Sequence, residues 1–376
     1  MKKILIIGSG LAGSVFANLL AETNKFEIKI IDKRNHIGGN CYTYKDQITG
    51  INIHAYGAHI FHTNDEYVWN FINKFTKFND YKHKVKSNSF NKIYSLPINL
   101  HTINQYYGTI FNSKEAEEFI KKIANEDKKR FNIIEPKNFE EQAISMIGNS
   151  LYNVFFKFYT IKQWERDPKT LPASILKRLP LRFNYNDTYF HNAKFQGIPE
   201  NGYTEIFEKL LDNKNIKIEL NTNYLVYKNE KFDYIIYTGP IDEYYDYKFG
   251  KLEYRTIYFQ NEIHDGDYQG TSVINYTDLD YPWTRIIEHK YFDTINKNKF
   301  KQTFISKEYS KEDDGTNPYY PIRDEKNLNI FRQYKSLADK EENIIFVGRL
   351  AQYQYYDMDQ VIASTIKKFN EFIKDK

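Results

Sequence analysis

Cysteine is almost missing: Cys41 is the only one in 376 residues. That excludes an internal disulfide framework and favours a reducing compartment. Long hydrophobic runs are missing too. No window approaches the ~18 apolar residues of a membrane span. The apolar start Ile4-Leu5-Ile6-Ile7 stops at Gly8, too soon for a secretion signal. The expectation is a cytoplasmic protein. A surplus of one charge is also lacking, with 53 basic against 49 acidic side chains and a net +4 spread along the chain. No basic arm stands out, so nucleic acid is not the expected partner. Arginine is scarce within that basic set, at ten of the 53.

Aromatic rings are plentiful, at 17% with 33 Tyr and 28 Phe. Either Tyr, Asn, Lys and Ile are jointly inflated by genome composition, or some of the rings line a site. Hydrophobic residues at 41% and charged residues at 27% describe an ordinary globular chain. At ~100–200 residues per domain the length implies two or three domains.

Ile4–Ile7 reads as a buried parallel strand. Gly8-Ser9-Gly10-Leu11-Ala12-Gly13 follows, then a helix from Ser14 to Glu22, then a second strand, Ile28–Ile31, ending at Asp32. The glycines permit a tight turn and close approach to a pyrophosphate seated on the helix N-terminus. Asp32 is spaced to take a ribose hydroxyl pair, which favours FAD or NAD over NADP. Gly38-Gly39-Asn40 then supplies either a surface turn or a loop crossing back over the cofactor, the latter pointing to FAD. Asn343–Gly348 reads as a further buried strand followed by Arg349. Met358–Lys374 reads as a helix capped by Asp357, its N-terminus suited to the electron-rich edge of a reduced flavin. A late strand joining an early unit implies domains inserted between them.

Residues 100–178 hold helical patterns, with Asn112 and Glu115 as a capping-box variant and helices expected at 138–147 and 151–163. Lys231–Pro240 contains a strand returning to the nucleotide domain, and 241–329 alternates as an antiparallel sheet. Lys311–Gly315 reads as a solvated loop. Arg178 and Arg285 stand in segments where two guanidinium groups could converge on a diphosphate. Each is equally readable as a surface or domain-interface ion pair. No metal-ligand spacing is present, and His54, His59 and His62 read as packed or surface histidines. Cys41 has no base partner and no nucleophile elbow appears, so chemistry is left to a cofactor.

The motifs already quoted, with His54–Thr63, Glu141–Ser145, Lys162-Gln163-Trp164, Gln196–Pro199, Tyr237–Asp242, Arg285–His289 and Tyr355–Met358, resemble the bacterial UDP-galactopyranose mutases. The resemblance implies an α/β fold with an FAD-binding Rossmann-like domain (1–80, 195–240, 330–376). Inserted in it would be a helical bundle (100–178, with a mobile loop at its end) and a six-stranded antiparallel sheet domain (81–99, 179–194, 241–329). It implies an isomerase that interconverts UDP-galactopyranose and UDP-galactofuranose through a covalent adduct between flavin N5 and the sugar, without net redox.

By the same resemblance Arg178 and Arg285 clamp the diphosphate, with Arg178 on the mobile loop, and His59 lies against the flavin; these are the catalytic set. Phe155, Tyr159 and Trp164 form the uridine pocket by stacking, and Thr160 is a further substrate-binding residue. Tyr189 lies near the phosphates, and Arg255, Asn275, Tyr320 and Tyr355 fall at the sugar and phosphate end. Gly8, Ser9, Gly10, Gly13, Asp32, Lys33, Arg34, Gly39, Asn40, His59, Ile60, Arg349, Asp357 and Met358 hold the cofactor. Asp32 departs from the Glu that the family often carries. Implied partners are a UDP-sugar, an external reductant such as NAD(P)H or a reductase, and a second copy in a homodimer. Activity on UDP-N-acetylgalactosamine as well, an amine-oxidase-like FAD oxidoreductase, or a non-catalytic flavin-binding protein are the alternatives.

Overall fold

Lys2–Ile7 is a strand whose Ile4, Leu5 and Ile6 are at most 1% exposed, as expected of a parallel strand covered on both faces. It pairs in parallel with Phe26–Ile31 on one side and Tyr234–Tyr237 on the other. Ile344–Phe346 and Ile216–Glu219 complete a five-stranded parallel sheet in the order 344–346, 234–237, 2–7, 26–31, 216–219. The computed structural model describes residues 1–178 and 181–374, without the side chains of 177 and 178. The expected Arg178 side chain therefore lies outside the described residues, while the backbone expected to form a mobile loop at the end of the helical segment is a 3-10 helix over Ala173–Arg178.

The sheet belongs to the first of two compact units, made of residues 1–80, 193–255 and 313–376. The helices Leu11–Glu22 and Met358–Lys374 pack together through Phe16, Phe369 and Phe372. An amphipathic helix, Thr204–Leu211, lies against Leu11–Glu22. On another side of this unit Tyr237, Tyr254, Tyr334, Tyr353 and Phe346 form a largely aromatic core. That core absorbs part of the aromatic excess as packing. Residues 241–255 and 313–329, grouped with the sheet domain in the sequence reading, cluster in this unit. Glu325–Ala338 is a helix capped by Asp324, which accepts from Asn327 N at 2.9 Å.

The second unit comprises residues 81–192 and 256–312. It contains the helical segment expected at 100–178. Asn99 caps Leu100–Tyr107, and Ser113–Arg130 carries both halves of the Asn112/Glu115 capping box. Phe139–Tyr152, capped by Asn138, breaks its helical dihedrals at Gly148 (φ 79°). It continues through a π-turn at Asn153–Lys157 into the helix Phe158–Trp164. The expected sheet differs in two ways. It has seven strands rather than six, because Tyr320–Pro321 adds to the start of Tyr254–Asp265. It is not wholly antiparallel, because Val273–Tyr276 pairs in parallel with Val85–Ser89. Those two strands are far apart in sequence, so no hairpin dictates their direction.

Candidate functional site

A cavity of about 250 Å³ opens at the carboxyl ends of the parallel strands of the first unit. Ten of the residues expected to hold a cofactor line it: Gly8, Gly10, Asp32, Lys33, Arg34, Gly39, Asn40, His59, Arg349 and Met358. Four others of that set do not line it. Ser9 is fully buried and donates from N and Oγ to Asp32 Oδ2, both at 2.8 Å. Gly13 packs under the first turn, where a Cβ would stand 1.9 Å from the Gly8 carbonyl oxygen. Ile60 is 8% exposed and is part of the core. Asp357 starts the last helix, its carbonyl accepting from Val361 N and its N–H donating to Gln360 Oε1 at 2.9 Å.

The chemistry of this wall fits a dinucleotide. Helix Leu11–Glu22 has Gly10 as its N-cap and no side-chain cap. Gly39 (φ 54°) approaches the start of this helix so closely that its Cβ would lie 2.9 Å from Gly10 Cα. A helix N-terminus left uncapped and unshielded is a diphosphate cradle. Asp32, with Oδ1 accepting from Arg34 N at 3.0 Å, is fixed at the end of the second strand, where a ribose acid belongs. Lys33 and Arg34 tie this wall to the 313–318 segment, Lys33 Nζ donating to the Thr316 carbonyl at 3.0 Å. Cys41 also lines the cavity, but burial pushes its thiol up to about 12, so it offers no thiolate.

His59 takes its ring orientation from the Gly57 carbonyl, 2.8 Å from Nδ1. A carbonyl only accepts, so Nδ1 carries the proton and Nε2 is the acceptor in the neutral ring. Desolvation, reinforced by the nearby Arg349 charge, holds the imidazole down at about 4. Arg349 donates from Nε to the Tyr356 carbonyl at 3.0 Å. Its guanidinium lies 5.5 Å from the Tyr355 ring and 5.9 Å from the Tyr320 ring. Tyr320 and Tyr355 stack with centroids 5.4 Å apart. Arg255, 1% exposed, is the register partner of Tyr320. The first unit thus gathers Arg255, Tyr320, Tyr355 and Arg349 in one place.

In the second unit, register places Asn275, Arg285 and Glu308 side by side on three adjacent strands, hence on one face of the sheet. Arg285 Nε meets Glu308 Oε1 at 3.0 Å, and Nη2 donates to the Tyr159 phenol at 3.0 Å. Burial pushes that phenol up to about 12, against the pull of Arg285. Asn275 Oδ1 is buried with no hydrogen-bond partner among the described residues. Tyr189 is close enough to act electrostatically on Tyr159. Thr160 is 4% exposed beside it, and Trp164 packs against the helical core. Phe155 departs from its expected place at a nucleobase. It is 2% exposed, lies within the π-turn and sits edge-on to Tyr94 at 5.1 Å, inside that core.

Sequence reading missed two residues here. Glu308, 2% exposed, orients Arg285. Arg182, 6% exposed, donates to the carbonyls of Asn186, Thr188 and Tyr189 and to His191 Nδ1, and so fixes the segment carrying Tyr189. The scarcity of arginine was a usable signal for Arg182; Glu308 has none short of the strand register. Among the described residues no group of acids, histidines or cysteines could hold a metal, and no helix is long and apolar enough to cross a membrane.

A sequence profile of the UDP-galactopyranose mutase family matches residues 154–355, and one of NAD(P)-binding Rossmann-like domains matches 6–75. The chain is 47% identical over 373 residues to a probable UDP-galactopyranose mutase of Klebsiella pneumoniae, covering 99% of this chain and 95% of that one. It is 48% identical over 383 residues to a dTDP-fucopyranose mutase of Escherichia coli, covering 100% and 99%. Among solved structures, the crystal structure of a reduced UDP-galactopyranose mutase matches with a TM-score of 0.74 at 14% identity, covering 100% of this chain and 94% of that one.

Proposed function

The chain belongs to the UDP-galactopyranose mutase family, and from that membership we propose that it interconverts UDP-galactopyranose and UDP-galactofuranose on a bound, reduced FAD without net redox. The observation that carries this reading is the Asn275–Arg285–Glu308 row with Tyr159 against it. An oxidoreductase acting on a small amine has no use for an oriented guanidinium beside a buried amide oxygen that has no partner among the described residues.

When bound, the reduced flavin would supply the nucleophile for the anomeric carbon. The side chains do the rest. Arg285, joined by Arg178, neutralises the diphosphate as it leaves, a stabilisation felt most where the charge develops. Tyr159, Trp164 and Thr160 keep the nucleoside seated while the sugar changes ring size, so that return of the diphosphate is an intramolecular event. His59, uncharged at neutral pH with its proton on Nδ1, presents an acceptor at Nε2 without adding charge beside the cofactor. Arg255, Tyr320 and Tyr355 hold the sugar end, and Arg349 steadies the flavin. External reduction, a homodimeric assembly and a cytoplasmic setting complete the proposal.

The test is to reduce the FAD-loaded protein, incubate it with UDP-galactopyranose or UDP-galactofuranose, and separate the two ring forms. Interconversion by reduced protein alone is the expected result. Equal conversion by oxidised protein, or flavin oxidation stoichiometric with sugar turnover, overturns it. The dTDP-fucopyranose mutase relative, as similar as the Klebsiella one, supports a second reading in which dTDP-fucopyranose is the substrate. The ratio of kcat/KM for the two nucleotide sugars decides between them.

A further inference from the structure

Helix Phe158–Trp164 carries Tyr159 near its start and Trp164 at its end, and Lys162 lies between them. Its ammonium reaches across to the turn between strands Val273–Tyr276 and Arg285–Glu288. There Nζ donates to the carbonyl of Tyr281 at 3.0 Å and to that of Trp283 at 2.9 Å. Pro282 separates these two residues and has no N–H to offer, so the turn directs paired acceptors at one point. A tetrahedral ammonium with three donors is the side chain suited to bind both. A second tie follows at once: the Gln163 carbonyl accepts from Ser310 Oγ at 2.6 Å, on strand Gln302–Glu312.

We propose that Lys162 is a positioning residue of the nucleotide-sugar site, locking the helix that bears Tyr159 and Trp164 to the turn that leads into Arg285. The contacts close a ring. Lys162 holds Trp283, Trp283 leads through Thr284 to Arg285, Arg285 donates to Tyr159, and Tyr159 lies one helical turn before Lys162. The spacing between the Tyr159 ring and the Arg285 fork is set by this closed path rather than by either element alone. The inference rests on the reading that these residues hold a nucleoside diphosphate.

The ring is electrostatically poised. Burial lowers the Lys162 ammonium to about 8, and Asp278, at the start of the same turn, partly opposes that shift. Asp278 itself accepts from Phe90 N at 2.9 Å. Asp280, in the same turn, is exposed, and Tyr309 on strand Gln302–Glu312 donates its phenol proton to Gln260 Oε1. Tyr281 donates its phenol proton to Asn91. Lys307, paired with Glu262, lies 5.0 Å from the Trp283 ring, and Glu308 holds Arg285. Loss of the Lys162 proton turns two charge-assisted bonds into weaker neutral ones.

The experiment measures UDP binding by calorimetry to the FAD-loaded protein, from about pH 7 to about pH 9.5, for the wild type, Lys162→Met and Lys162→Arg. Lys162→Met should weaken UDP at about pH 7 by about tenfold with flavin content per chain unchanged, and Lys162→Arg should recover most of that loss. Wild-type affinity should fall through a midpoint near 8, a limb absent from Lys162→Met. A merely structural lysine would lower the melting temperature and leave this limb and the UDP affinity alone. Affinity of Lys162→Met within about twofold of wild type overturns the proposal. So does a flat wild-type profile, which is read without any variant and stands even if Lys162→Met does not fold. A wild type that binds no UDP at any pH overturns the reading of the site itself, and this inference with it.

Discussion

Arg285 and Glu308 stand directly opposite each other on neighbouring antiparallel strands, joined Nε to carboxylate at 3.0 Å. The Glu308 side chain is 3% exposed and that of Arg285 26%. The arginine thus bridges a buried acid and the Tyr159 phenol. A cation fixed in this way would need little reorganisation to meet the diphosphate proposed to bind there, which is the condition for strong electrostatic stabilisation. The same pairing gives Arg285 a second role, in stability, because without it Glu308 is a buried charge lacking its partner.

Those two roles can be separated. Arg285→Ala should cut turnover on the order of 10²–10³-fold and also lower the melting temperature, with flavin still bound by the other unit. Adding Glu308→Gln removes the orphaned charge, so the double variant should regain most of the stability and none of the turnover. Arg285→Lys should not rescue activity, because one ammonium cannot reproduce two nitrogens held by two partners. Thermal melts and steady-state rates on the three variants check this. Recovery of turnover in the double variant would remove Arg285 from the site.

Gly10 tests the cradle from the protein side. Its Cβ would meet nothing closer than Gly39 Cα, at 3.7 Å, so Gly10→Ala should fold with stability within about 0.5 kcal/mol of wild type. A diphosphate lying over the helix N-terminus would collide with that methyl group. FAD affinity, read by flavin absorbance retained after dialysis, should drop about tenfold or more. Unchanged retention would put the diphosphate elsewhere in the cavity.

The first unit was highly legible. Ile4–Ile7, the glycine turn, Asp32 and Met358–Lys374 are local signals, each a short run whose period and caps say what it becomes. The Asn112 capping box and the Asn138 cap were readable for the same reason. Register and inward placement were not. Nothing in Val85–Ser89 announces a parallel partner at Val273–Tyr276, and Glu308 looks like one more acid in a charged strand until it faces Arg285. Phe155 and Tyr159 were indistinguishable as aromatic helix residues. The first lies in the core within the π-turn, and the second meets Arg285. The glycine signature located Ser9 but not its role, because the bond from Ser9 to Asp32 spans 23 residues.

Acid should destabilise the protein through histidines it buries uncharged. His289 is 1% exposed, with Nε2 2.8 Å from Ser306 Oγ, and that hydroxyl donates onward to Asn261 Oδ1. Nε2 therefore carries the proton, and burial lowers the group to about 3. His59 is lowered to about 4. An unfolded chain binds these protons near 6.5, so below that pH it binds more than the folded one does. The stability these histidines contribute is complete above about pH 6.5. It is lost as pH falls toward the folded values, at about 1.4 kcal/mol per pH unit for each histidine. Urea titrations between about pH 7 and about pH 4 should show this slope on top of the carboxylate contribution. His289→Gln should reduce the slope by about one proton while leaving flavin binding intact, since His289 lies in the second unit. An unchanged slope would mean that His289 takes up its proton without unfolding, and that the Ser306–Asn261 chain reorganises to accept the charge.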